Sequence, residues 1–185
     1  LCLVDEAKGM HKSTEPKTVA ISFVTSEVDK WFSYLKAKGV KMRSQLKSSK
    51  RIPIRGFVAR DPEGYLLEFQ TFLEDKQNKK LLKILKTTPV LYPAKKNNVR
   101  PKELGIQCNV LWLYYKDVPK AQKFYEENLG LTLLVDQGFA KVYTCSPSSF
   151  IGLVDESKGM HRFSEKKSVN VGLITNKVDD WYHFL

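Results

Sequence analysis

Few side chains of this sequence are equipped for acid–base, nucleophilic or metal chemistry. Glu68 stands alone as a carboxylate inside the apolar run "YLLEF". A carboxyl desolvated in this way carries a raised pKa and could exchange a proton. His11 and His161 sit in two near copies of one polar stretch, "LVDEAKGMHKSTE" (Leu3–Glu15) and "LVDESKGMHRFSE" (Leu153–Glu165). The third histidine, His183, lies on the polar side of a terminal helical pattern and is expected at the surface. Cys2, Cys108 and Cys145 form no Cys-x-x-Cys, so neither a disulfide framework nor a zinc site is expected, and a reducing cytoplasm is the expected compartment. No nucleophile–base pair stands out, and there is no glycine-rich phosphate loop. "DPEG" reads as a hairpin turn and "SPSS" as a strand connector.

The elements that must position these groups follow from the repeat. Leu3 pairs with Leu153, His11 with His161, Val28 with Val178 and Trp31 with Trp181, so residues 151–185 replay residues 1–35. Solenoid repeats recur every ~20–50 residues, so this offset is the length of a domain plus a linker. The chain reads as a window on a tandem array that starts and stops in mid-domain. Within it, "TVAISFVT" is a strand, Ser26 caps a helix with Val28, Trp31, Phe32 and Leu35 on one face, and Gly39 ends it. "VKMRSQLK", "IPIRGFVAR" and "YLLEFQTF" are three further strands. The order recurs: strand "NVLWLYY", a helix capped by Asp117 and stopped by Gly130, then "LTLLVD", "FAKVYTC" and "FIGLVDE". "SVNVGLITNKVDDWYHFL" reads as the first strand and helix of another unit, with Trp181 as a packing residue like Trp31. Gly9 and Gly159 are read as positive-φ residues that end their strands.

The division expected is thus a last strand and loop over 1–16, a complete unit over 17–75, a basic linker over 76–105, a second unit over 106–166, and the start of a further unit over 167–185. The chain has 185 residues, of which 42% are hydrophobic and 28% charged, enough for a sizeable core. No apolar run approaches the ~20 residues of a membrane span. The formal net charge of +11 is concentrated in the lysine-rich 75–102 stretch, which reads either as a solvated connector or as an anion-binding surface. Its "KKLLKILK" is expected to form a short amphipathic helix docking Leu81, Leu82 and Leu85 on the sheet. Nothing resembling a nucleic-acid-binding motif accompanies the charge, so nucleic acid is not the expected partner.

Two βαβββ units in succession, with "VDKWFSYLKAKGV", "RDPEGYLLEF" and "DVPKAQKFYEENLGL", resemble the vicinal oxygen chelate superfamily. That group includes glyoxalase I, extradiol dioxygenases and bleomycin-resistance proteins. The resemblance implies an α+β fold in which paired βαβββ units form an eight-stranded cup, here truncated at both ends. It also implies pairing of half-domains within the chain or in a homodimer. Many members hold a divalent metal on the two first and two last strands. Of those positions only Glu68 keeps a ligand. The others fall on Val110 (Asn109 if the register slips by one), on Ala20 with Asn170 in the copy, and on Gly152 with Cys2 in the copy.

A cup lined by Val110, Trp112 and Tyr114, by Ala20, Ser22 and Val24, and by Leu66, Glu68 and Gln70 is apolar and aromatic with a few polar groups, as small-molecule sites usually are. Trp112 and Tyr114 read equally as core. Strand alternation and the loop that follows add Glu156 and His161 as replacement polar groups. The expected site is therefore Trp112, Tyr114, Glu68, Glu156 and His161, with Glu68 the one family metal ligand. The expected function is binding of a small apolar or anionic ligand with no cofactor. The alternative is a metal-dependent enzyme, lactoylglutathione-lyase-like or dioxygenase-like, on unconventional ligands such as Glu68, Glu156 and His161. A structural or regulatory module whose basic linker contacts a partner is a third reading.

Overall fold

The computed structural model describes residues 3–93 and 100–185. The 17–75 unit contains β1 (Val19–Val24), α1 (Val28–Ala37), β2 (Lys47–Ser48), β3 (Ile54–Arg60) and β4 (Leu66–Phe72). After a short helix α2 (Lys79–Leu85) the pattern repeats. β5 (Cys108–Tyr115) is followed by α3 (Val118–Lys123), which runs on into a π-helical turn over 124–128, and then by β6 (Thr132–Asp136), β7 (Ala140–Ser146) and β8 (Ser149–Asp155). A last helix, α4, spans Val178–Phe184.

The strands form one eight-stranded sheet in the order β2-β3-β4-β1-β5-β8-β7-β6. In each unit the first strand pairs in parallel with the last: β1 with β4, and β5 with β8. The units meet where β1 runs antiparallel to β5, with Ser22 opposite Val110 and Ala20 opposite Trp112. Two units of one chain thus complete the sheet together. It remains open, with β2 and β6 at its edges.

Alternation sorts the side chains. Along β5, Cys108, Val110, Trp112 and Tyr114 are buried on the inner face, while Leu113 and Tyr115 face outward toward α3. The outer face carries α1 over Phe57 and Phe69 and α3 over Tyr143 and Leu153. The inner face carries α2, whose Leu81 and Leu85 are buried in its core, as the sequence pattern anticipates. Across this face the Arg51 guanidinium lies 4.9 Å from the Phe139 ring centroid, joining the two halves. Gly39, Gly64, Gly130 and Gly138 have positive φ at the helix ends and hairpin turns.

Several expectations need correction. The 40–47 strand shrinks to a bridge between Met42 and Ala59 and the two residues of β2. The helix cap falls on Glu27 rather than Ser26; Glu27 N donates to Thr25 Oγ1. Gly9 and Gly159 have no positive φ. Both are needed for close approach instead: a Cβ at Gly9 would crowd Val4, and one at Gly159 would crowd Tyr114 and Val154. Residues 3–6 form no strand and Leu3 and Val4 are exposed, because β8, which holds their counterparts, already occupies the seat between β5 and β7; Cys2 lies outside the described residues. Residues 168–175 form no strand either, because β1 already occupies the seat beside β5 that their counterparts 18–25 take. Consequently Trp181 and its neighbours on α4 are exposed, whereas Trp31 is buried against Phe69. Residues 94–99 of the expected linker lie outside the described residues. The remainder of that stretch is partly docked: Thr88 Oγ1 donates to the Pro147 carbonyl, and Leu104 is buried beneath α1.

Candidate functional site

The central strands bring one polar cluster together on the inner face. β1–β4 pairing sets Ser22 opposite Glu68, and β1–β5 pairing sets Ala20 opposite Trp112. Ser22 Oγ donates to Glu68 Oε2. Trp112 Nε1 donates to both, at 3.0 Å from Ser22 Oγ and 3.0 Å from Glu68 Oε2. Gln70 Nε2 donates to Ser22 Oγ at 3.0 Å. Burial raises the Glu68 pKa, and the hydrogen bonds from Ser22 and Trp112 oppose that shift. Glu68 nevertheless keeps some accessible surface, while Ser22 and Gln70 have almost none. Glu68 is therefore enclosed by protein without being wholly cut off from the surface.

The residues present do not fit a chelated divalent metal. Glu68 spends one oxygen on two donors, Ala20 and Val110 offer no ligand atom, and Asn109 lies on the other face. Gly152 stands opposite Trp112, and any side chain there would collide with the indole. The tryptophan occupies that position, and its N–H faces the carboxylate where a cation would otherwise sit. Asn170 is outside the sheet, its Oδ1 3.0 Å from His11 Nε2. Among the described residues no three His, Cys, Asp or Glu gather as a metal site. A divalent metal held by few protein groups is not expected without further donors.

Of the five expected site residues, Glu68 and Trp112 bond directly. Tyr114 lies on the same face one strand step beyond Trp112, and its pKa is raised by burial and then by the Glu68 charge. His161 packs edge-on against Tyr114, ring centroids 5.2 Å apart. Burial lowers its pKa, as do the charges of Arg43 and Arg60, while the Val19 carbonyl opposes the shift. Glu156 does not join them. Its Oε2 accepts the Phe163 N–H at 2.6 Å, which stitches its own loop. Cys108 is buried at the other end of β5, its thiol pushed up to about 12 by burial, so it is no nucleophile.

The repeated polar stretch makes the same loop twice. Glu6 Oε2 accepts Ser13 N–H at 2.6 Å, as Glu156 does from Phe163. Asp5 caps the Ala7 N–H and Asp155 caps the Ser157 N–H. Lys12 and Arg162 each donate to the backbone carbonyl of their loop's glutamate. The histidines differ: His11 bonds Glu15 and Asn170, whereas His161 turns onto the sheet. The Asp-Glu pair is therefore retained by local hydrogen bonding, and only the second histidine reaches the inner face.

Sequence reasoning missed Arg43 and Arg60. Neither has a spacing signal, since they meet only through β3: Arg43 N bonds the Val58 carbonyl and Arg60 N the Lys41 carbonyl. A surface cavity of about 460 Å³ lies elsewhere, along α2, among Lys76, Lys79, Lys83 and Lys86.

Residues 1–69 match the Glyoxalase/Bleomycin resistance protein/Dioxygenase superfamily. Glyoxalase I from Zea mays superposes with a TM-score of 0.48 at 17% identity, covering 79% of this chain and 44% of that one. A variant of methylmalonyl-CoA epimerase from Streptomyces coelicolor gives a TM-score of 0.43 at 13% identity, covering 77% of this chain and 98% of that one. The chain thus spans less than half the length of the maize enzyme. No curated protein matches the sequence.

Proposed function

We propose that this chain, whose residues 1–69 match the glyoxalase/bleomycin resistance protein/dioxygenase superfamily, is a member of it that binds a small molecule on its inner face without a chelated metal. One observation carries this reading: Trp112 takes the place of a ligand at Gly152 and gives its N–H to Glu68, the single carboxylate of the cluster. Aromatic and aliphatic side chains surround that cluster, and three polar side chains converge on one carboxylate oxygen or on the hydroxyl beside it. Such a lining suits an apolar ligand with one polar anchor. Glu68 serves as a hydrogen-bonding anchor held by Ser22 and Trp112. In the protonated form that burial favours, it can donate as well as accept.

Titration with the neutral dye N-phenylnaphthylamine tests this. The expected result is a single saturable phase in which Trp emission is lost to the dye, and this transfer falls sharply in Trp112→Phe. Absence of saturable binding would remove the reading. Stoichiometric metal that survives dialysis but disappears in Glu68→Gln would replace it with a metal-dependent one.

A further inference from the structure

At one end of the inner face, cations collect around a polar atom that has no partner. This end is built from the start of β1, the ends of β3, β5 and β8, and the loop after β8. α2 covers the opposite end, where Gln107 Nε2 bonds the Leu85 carbonyl at the start of β5. Arg43 and Arg60 are brought together by β3 and its flanking segment. Their guanidinium charges act on His161, and that of Arg43 also acts on Tyr114. Among the described residues neither arginine has a carboxylate partner. Further positive charge lies on the adjoining loop. Lys116 Nζ stands 4.6 Å and Lys167 Nζ 3.9 Å from the Phe163 centroid, with Glu165 the acidic group near Lys167.

His161 supplies the second observation. Its Nε2 is buried without a hydrogen-bond partner, although such atoms in native proteins nearly always have one. The Val19 carbonyl acts on the imidazole and opposes the fall in its pKa, while Nε2 itself is left without a partner. His11, the same residue in the other copy, has both nitrogens bonded. The unpartnered Nε2 of His161 therefore follows from its position on the sheet. Unpaired guanidinium groups beside a buried, unpartnered imidazole nitrogen and an aromatic wall make a receptor for a negatively charged head whose body is apolar.

We propose that this end of the inner face recognises the anionic group of an amphipathic organic anion: Arg43 and Arg60 take its charge, His161 Nε2 bonds it as an N–H donor or through a bound water, and its apolar body lies along Tyr114 and Trp112. The inference rests on the small-molecule reading above and narrows it to a ligand class. The basic face of α2 is a separate surface and takes no part.

The test compares anilinonaphthalene sulfonate with neutral N-phenylnaphthylamine on the full chain. The anionic dye is expected to bind more tightly. Arg43→Gln with Arg60→Gln should weaken it roughly tenfold or more, the size expected for losing charge-assisted hydrogen bonds, and leave the neutral dye unchanged. Lys79→Gln with Lys83→Gln should alter neither. Equal loss of the anionic dye in the α2 pair, or no loss in the arginine pair, would overturn the inference while leaving the small-molecule reading in place. Failure of both dyes to bind the unaltered chain would overturn both. Circular dichroism of the arginine pair confirms that the fold persists.

Discussion

The Trp112 indole lies over Gly152, its register partner on β8, and fills the space that any side chain at residue 152 would need. From there its N–H reaches Glu68 Oε2 at 3.0 Å. A glycine on one strand thus decides the chemistry of a carboxylate three strands away in the sheet order.

Gly152→Ala should therefore be disproportionately harmful. The new methyl group forces the indole aside and strains a packed inner face, which costs about 1–3 kcal/mol. Urea unfolding should register the loss, and Trp emission should shift to longer wavelength as the indole leaves the cluster. Gly172→Ala is the control. Nothing surrounds that position, so stability should change by no more than about 0.5 kcal/mol.

Glu68 predicts a pH dependence of known sign. Its pKa is raised in the folded protein by burial, above an ordinary value of 4.5. The folded state therefore holds this proton more tightly than the unfolded chain does. Below the ordinary value both states are protonated and the term is flat. As pH rises above 4.5 the unfolded chain releases its proton first, so stability falls until the folded carboxyl also ionises. Glu68→Gln removes this slope and still offers an oxygen to Ser22 and Trp112. Unfolding curves measured across pH should show the variant gaining on the unaltered protein as pH rises, and parallel curves would refute the assignment.

Glu156 and Glu6 should behave as a structural pair. Each accepts one backbone N–H of its own loop. Glu156→Ala should cost about 1 kcal/mol and speed hydrogen exchange at the Phe163 amide, while dye binding stays unchanged. Glu6→Ala should likewise speed exchange at the Ser13 amide. A large loss of binding in Glu156→Ala alone would give that residue back a ligand role.

Trp31 and Trp181 occupy the same place in the repeat and should differ sharply. Trp31 is buried, stacks near Phe69 at 4.9 Å between centroids and donates its Nε1–H to the Gly105 carbonyl at 3.0 Å. Trp31→Ala should cost about 3–5 kcal/mol in denaturant unfolding. Trp181 is 36% exposed, and Trp181→Ala should stay within about 0.5 kcal/mol.

Much of the inner-face cluster is legible in the sequence because strand alternation is local. The period of two along "NVLWLYY" and "YLLEF" puts Trp112, Tyr114 and Glu68 on one face before any contact is known. Glu156 joins that face only if the alternation is extended one residue past Asp155, where the chain has already turned to bond its own loop. Arg43 and Arg60 left no signal, since a side chain at a strand end reveals nothing about which loop arrives opposite it. The metal-ligand pattern told which donors are missing, but the indole that fills their place depends on the pairing of β5 with β8.

By itself the sequence determined the two βαβββ units, their glycine turns and the twice-made polar loop, because each depends on hydrogen bonds and periodicities a few residues long. Only the tertiary structure decided which copy of the repeated strand enters the sheet. Residues 18–25 and 168–175 carry nearly the same pattern, yet β5 has one seat beside it and β1 takes it, setting Ser22 against Glu68. The copy would bring Asn170 and Gly172 to the places of Ala20 and Ser22, burying an amide and removing the hydroxyl that bonds the carboxylate. An unmet buried polar group is costly, and that cost is paid only where strands pair across the chain.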